Sequence, residues 1–149
     1  MKLSELFNMQ DSFNRNVLKN EVIYEHEIRY EKILALQVKI AEIANETNCF
    51  KYCNLKNNYE KSSLMNKYVD CLHFIISIGL DNKFTPDEIE FKKSALNLTS
   101  QFENLYIDIN DFVVCSSLDH YITLVEDYLS LGSSLNFSEN EILDHCKIK

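Results

Sequence analysis

Glycine and proline are nearly missing from this chain: two glycines and one proline occur in 149 residues, and tryptophan does not occur at all. Tight β-hairpins, dinucleotide-binding turns and phosphate-cradling loops need glycine where φ is positive, so they are excluded as the main architecture. Positive charge is scarce as well. Lys and Arg number 15 against 23 Asp and Glu, the formal net charge is −8, and no arginine follows Arg29. No basic stripe is left to neutralise a phosphate backbone, so a direct nucleic-acid partner is not expected. The longest apolar run, Cys71 to Leu80, contains His73 and is far too short to span a membrane.

What remains is 46% hydrophobic and long enough to bury a real core, which fits one domain over residues 1–149. Five cysteines with no secretory leader imply a reducing, cytoplasmic location. Their odd count and irregular spacing do not form a disulfide framework. Cys49-x-x-x-Cys53 and Cys71-x-His73 carry zinc-type donors, but neither spacing is a usual zinc knuckle. Cysteine is commonly a small core residue.

Helix signals run through the chain. Ser4 can cap a first helix to Leu18, with Leu3, Leu6, Phe7, Phe13 and Val17 on its apolar side. A second spans about Glu21 to Glu46, where Ile33, Leu36, Ile40 and Ile43 recur at helical spacing. Asn48 to Glu60 reads as a polar loop, and a third helix follows from Lys61 to Leu80. Its inward positions are Met65, Val69, Leu72, Ile76 and Leu80. Thr85-Pro86-Asp87-Glu88 has the form of a capping box and predicts a fourth helix reaching Ile109. Ser116 or Ser117 opens a fifth to Leu131, and Ser138 with Glu141 opens a short last one. The fold class is all-α, a bundle of about five main helices.

Two segments carry more than a pattern. Glu31 to Cys53 reads EKILALQVKIAEIANETNCFKYC, and Asn66 to Leu80 reads NKYVDCLHFIISIGL. Together they resemble the dimeric all-α dUTPases, a branch of the helical nucleotide pyrophosphohydrolases. The match is dense at Leu34-Ala35-Leu36, Ala44-Asn45-Glu46, Phe50-Lys51-Tyr52, Tyr68-Val69-Asp70 and Leu72-His73-Phe74. It is strong from Leu6 to Leu80, and beyond that it rests on helix pattern.

In that family an E-x-x-E helix faces an E-x-x-D helix, and the four carboxylates hold the magnesium ions that activate water. Here the matching positions read Lys39-x-x-Glu42 and Lys67-x-x-Asp70. Each motif keeps its second carboxylate and exchanges its first for lysine. Lys39, Glu42 and Glu46 share one helix face, and Lys67, Asp70 and Phe74 share another. If the faces meet, the charges must be paired or metal-bound. Two ammonium groups can neutralise Glu42 and Asp70 directly, so cross-helix pairs of Lys39 and Lys67 with these carboxylates are expected. A like charge about 4 Å away costs roughly 4 kcal/mol at an effective dielectric of 20, and a divalent ion facing one lysine about twice that. No cofactor is therefore expected and no catalytic residue is assigned; Lys39, Glu42, Lys67 and Asp70 form a degenerate site. Were a metal retained, Glu42, Glu46 and Asp70 would hold it.

The resemblance also implies nucleotide-binding positions: Gln10 and Asn14 on the first helix, then Lys51, His73 and Phe74. Where the family usually has FKYW, this chain has Phe50-Lys51-Tyr52-Cys53, without the aromatic that encloses the uracil. The sequence ends at Lys147-Ile148-Lys149, without the arginine-bearing segment that closes over the phosphates in the family. Two functions follow from the resemblance. One is a homodimer without turnover that binds a protein partner such as a repressor, or a uracil nucleotide, as phage and mobile-element regulators of this fold do. The other is a working dUTP diphosphatase that uses Mg2+ in an unusual arrangement and releases dUMP and pyrophosphate.

Overall fold

The computed structural model describes residues 1–18, 25–51 and 59–148. Among them are six helices: α1 (Ser4–Leu18), α2 (Glu25–Thr47), α3 (Lys61–Asp81), α4 (Leu98–Val114), α5 (Leu118–Ser134) and α6 (Glu139–Ile148). The Glu21 start expected for the second helix lies outside the described residues.

Helix α3 is apolar on nearly every side and becomes the centre of the molecule, packed by α1, α2, α5 and α6. Tyr68, Leu72, Ile75 and Ile76 on α3 meet Leu36, Ile40 and Ile43 on α2 in one core. Met65, Val69, Leu72 and Ile76 are buried as expected, and Leu80 is half-buried. Helix α4 packs on α2 and α5, and Tyr106 fastens it by donating to the Gln37 carbonyl at 3.0 Å.

Both glycines lie inside helices, under tyrosine phenols. A Cβ on Gly79 would sit 2.2 Å from the Tyr121 hydroxyl oxygen, and one on Gly132 would sit 2.4 Å from that of Tyr68. The left-handed residues that glycine usually supplies are instead Asn48, Lys83 and Asn136, with φ of 52, 59 and 62°. Lys83 and Asn136 each sit in a Schellman closure. Phe84 N–H donates to the Gly79 carbonyl at 2.8 Å, and Phe137 N–H to that of Gly132 at 3.1 Å.

One expected element is absent. Thr85 to Asn97 forms no helix, and Glu88 instead makes a β-bridge with Lys2. Leu3 N–H donates to the Asp87 carbonyl at 2.8 Å, and Ile89 N–H to that of Met1 at 3.0 Å. Proline at 86 biases Thr85 toward extended backbone, and burial of Ile89 and Met1 completes the bridge. The cap of α4 is Asn97, whose side chain accepts from Ser100 N–H at 2.9 Å. The other two caps are those expected. Ser117 accepts from His120 N–H at 3.2 Å, and Ser138 and Glu141 bond reciprocally at 2.8 and 3.2 Å.

Candidate functional site

Helices α1, α2 and α3, with Cys146 of α6, line an open pocket of about 450 Å³. Helical spacing explains its lining. Gln10 and Asn14 are one turn apart on α1, while Asp70, His73, Phe74 and Ser77 follow one another along a single face of α3. Helix α2 adds Lys32 and Lys39, seven residues apart, so about 10 Å along its axis. Met9, Phe13 and Phe74 supply apolar wall. Phe13 was expected on the apolar side of α1 but is 61% exposed, at the pocket rim, and Val17, one turn further along α1, is exposed as well.

A chain of hydrogen bonds ties the three helices together across the pocket floor. Lys32 Nζ donates to Asp81 at 2.5 Å and to Ser77 Oγ at 2.9 Å. Asn14 Nδ2 also donates to Ser77 Oγ, at 3.2 Å, and Gln10 Nε2 donates to Asn14 Oδ1 at 2.9 Å. Gln10 Oε1 lies 2.9 Å from His73 Nδ1. With that oxygen as acceptor, His73 carries its proton on Nδ1. Ser77 Oγ accepts twice, which leaves its own proton to donate. The floor thus offers hydroxyl and amide donors to whatever enters.

The motif positions are arranged differently from the expected pairs. Lys39 bridges Glu42 at 3.4 Å within its own helix. The cross-helix bond is made by Lys67, and its acceptor is Glu46. That ammonium holds the Glu46 carboxyl below the ordinary carboxylate range. Of the four motif positions, Lys39 and Asp70 line the pocket; Glu42 and Lys67 are not part of its lining, and neither is Glu46. No group of three or more His, Cys, Asp or Glu side chains is gathered for a metal ion among the described residues. Lys51 is exposed and stands over the Phe50 ring at 5.9 Å. Tyr52 and Cys53 lie outside the described residues.

The structure therefore brings together Gln10, Asn14, Lys39, Asp70, His73 and Phe74, and adds Lys32, Ser77 and Cys146, which sequence reasoning passed over. Lys32 precedes Lys39 by seven, and Ser77 follows Asp70 by seven, so both were legible as same-face neighbours.

Six helices among the described residues, gathered about a central apolar α3, make an all-α bundle with an open pocket on one side. A sequence profile of the dUTPase family matches residues 2–149, and the chain belongs to that family. No curated protein and no solved structure matches it. No helix among the described residues is long and apolar enough to cross a membrane.

Proposed function

We propose that this dUTPase-fold protein works by binding and does not turn nucleotide over, acting as a cytoplasmic homodimer of the kind phages and mobile elements use as regulators. One observation carries the reading: each motif lysine is engaged by a carboxylate that would otherwise face a metal. Lys39 is on Glu42 and Lys67 is on Glu46. Magnesium requires oxygen donors in octahedral array, and an ammonium in place of a carboxylate both removes a donor and repels the ion. The donor set left by the two lysines does not fit the family's ions.

Binding without turnover leaves the pocket free for a uracil nucleotide, or its rim free for a protein partner. Support for a second copy comes from the stripe Tyr30, Leu34 and Val38, exposed at i, i+4 and i+8 along α2. A mixture of the purified protein with dUTP and magnesium should release no pyrophosphate, and sedimentation at micromolar concentration should give a dimer. A clean monomer would remove the dimer from this reading.

The alternative is an active dUTP diphosphatase. It is favoured by the retention of Glu42, Glu46 and Asp70 beside an intact hydrogen-bonded floor. Pyrophosphate release from the unmodified protein selects it.

A further inference from the structure

Helices α4 and α5 give no residue to the pocket lining, and two acidic side chains meet between them. Asp108 on α4 is 9% exposed, and its buried Oδ2 accepts from no N–H or hydroxyl among the described residues. Its hydrogen-bonding contact is with the carboxyl of Asp127, half-buried on α5. Ionised carboxylates only accept, so this contact is a bond only while a proton sits between the two. Without the proton, two like charges face each other with little water to screen them.

The groups around the pair come from each helix packed on it. Asp111, three residues along α4, adds a further negative charge. His120 faces the pair from α5 and opposes it, while its Nδ1 lies 2.8 Å from the Cys115 carbonyl, which takes that N–H. Helix α2, also packed on α4, brings Arg29 to Ser116 Oγ, past the α4 C-terminus. Tyr106, two residues before Asp108, holds the Gln37 carbonyl on α2, and Tyr128, next to Asp127, is bonded to Tyr68 on α3. Those are phenol bonds, indifferent to pH near neutrality. The carboxyl pair is a pH-responsive joint set between them.

We propose that Asp108 and Asp127 form a proton-operated clasp between α4 and α5, closed by one shared proton and opened when that proton leaves to water. Burial, then Asp127 and Asp111, lift the Asp108 carboxyl to about 7, which places the release in the neutral range. Below that point the folded chain keeps the proton and the helices stay joined. Above it both carboxylates are ionised and repel. Opening stays local, because the phenol bonds keep Tyr106 on α2 and Tyr128 on α3.

Nuclear magnetic resonance of the full chain with carboxyl-labelled aspartate, titrated in EDTA from about pH 5 to about pH 9, tests it with phenols protonated throughout. The Asp108 carboxyl carbon should titrate with a midpoint near 7. Phe112 follows Asp108 by one turn, and its ring lies 6.1 Å from that of Tyr121 on α5, centre to centre. Cross-relaxation between these two rings should fade along the same midpoint, while that between Tyr68 and Tyr128 stays constant. Asp108→Asn, whose amide can donate to Asp127 at any pH, should keep the Phe112–Tyr121 signal throughout the range. Asp127→Asn supplies the same donor from α5, and it should move the Asp108 midpoint down and also abolish the fading. An Asp108 carboxyl that titrates in the ordinary carboxylate range overturns the proposal. So does a midpoint near 7 with an unchanging Phe112–Tyr121 signal, which would mean a held proton that joins nothing.

Discussion

Tyr68 on α3 and Tyr128 on α5 are bonded to each other twice. The Tyr68 hydroxyl donates to the Tyr128 carbonyl at 3.1 Å, and the Tyr128 hydroxyl donates to the Tyr68 carbonyl at 2.7 Å. Their rings stack with centroids 4.6 Å apart, and both residues are fully buried. Each phenol therefore satisfies its hydroxyl in the core, where an unpartnered one would be costly. Because Tyr68 carries Asp70 and His73 on the same helix, the pair also fixes how α3 presents the pocket face.

The space under Tyr68 depends on Gly132, whose hypothetical Cβ would lie 2.4 Å from the hydroxyl oxygen and 2.6 Å from the ring carbon beside it. Gly132→Ala should destabilise by about 1–3 kcal/mol through overpacking, because the stacked ring cannot withdraw. Tyr68→Phe should lose only about 1 kcal/mol, since the Tyr128 carbonyl keeps its helical bond. Adding Tyr68→Phe to Gly132→Ala should not rescue it, as the ring carbon remains in the way. Urea unfolding of the three variants checks this order.

Charge pairing at the motifs is shallow. Side chains of Lys39 and Glu42 are 31% and 45% exposed, and those of Lys67 and Glu46 are 36% and 22% exposed. Lys39→Ala should therefore change stability by less than about 1 kcal/mol, well below the several kcal/mol that a buried pair would give. Lys67→Ala should have a similarly small effect, confined by pH. The folded Glu46 carboxyl is depressed by Lys67, so the pair contributes above the unfolded carboxylate pKa and is lost as pH falls through the folded value. Melts of both variants at pH 7 and pH 3 measure it.

Asp108 on α4 points the opposite way. It is 9% exposed, and burial lifts its carboxyl to about 7, with Asp127 on α5 and Asp111 adding to the rise and His120 opposing it. A raised carboxyl means that the folded state holds the proton more tightly than the unfolded chain does. The stability this contributes is full below the ordinary value of 3.8 and is lost as pH rises from there to about 7. Asp108→Asn should match the parent near pH 4 and exceed it near pH 7.5 by about 1–2 kcal/mol, after allowance for solvent screening. Denaturant midpoints across that range decide it; a constant offset would contradict the assignment.

Restoring the motif carboxylates should restore the metal. Lys39→Glu with Lys67→Glu should melt lower than the parent in EDTA, because four carboxylates then crowd α2 and α3. Millimolar magnesium should raise its melting temperature while leaving that of the parent unchanged. A parent that responds equally to magnesium would show that the lysines do not exclude the ion.

The fold was legible where apolar periodicity and caps agreed. Ile33, Leu36, Ile40 and Ile43 announced α2, and Ser138 with Glu141 announced α6. Reading failed at Thr85-Pro86, where a locally good cap lost to a long-range bridge between Glu88 and Lys2 that no local pattern encodes. Asn97 was available as the true cap of α4 but stood inside the helix already assigned. At the site, periodicity placed Lys67, Asp70 and Phe74 on one face, of which Asp70 and Phe74 line the pocket and Lys67 does not, and the family resemblance singled out Gln10, Asn14 and His73. Which carboxylate each lysine chooses depends on helix rotation and rotamer. That is why Lys67, expected to pair across the helices with a motif carboxylate, meets Glu46 in space.

The most direct measurement is a single-turnover assay with the unmodified protein in excess over radiolabelled dUTP and saturating magnesium, sampled from seconds to hours. Excess protein removes product release and weak binding from the result and leaves only chemistry. The account predicts that dUMP and pyrophosphate form no faster than in buffer. Formation of dUMP at an enzymatic rate would contradict it, and would mean that the lysine-bearing motifs still assemble a working metal site.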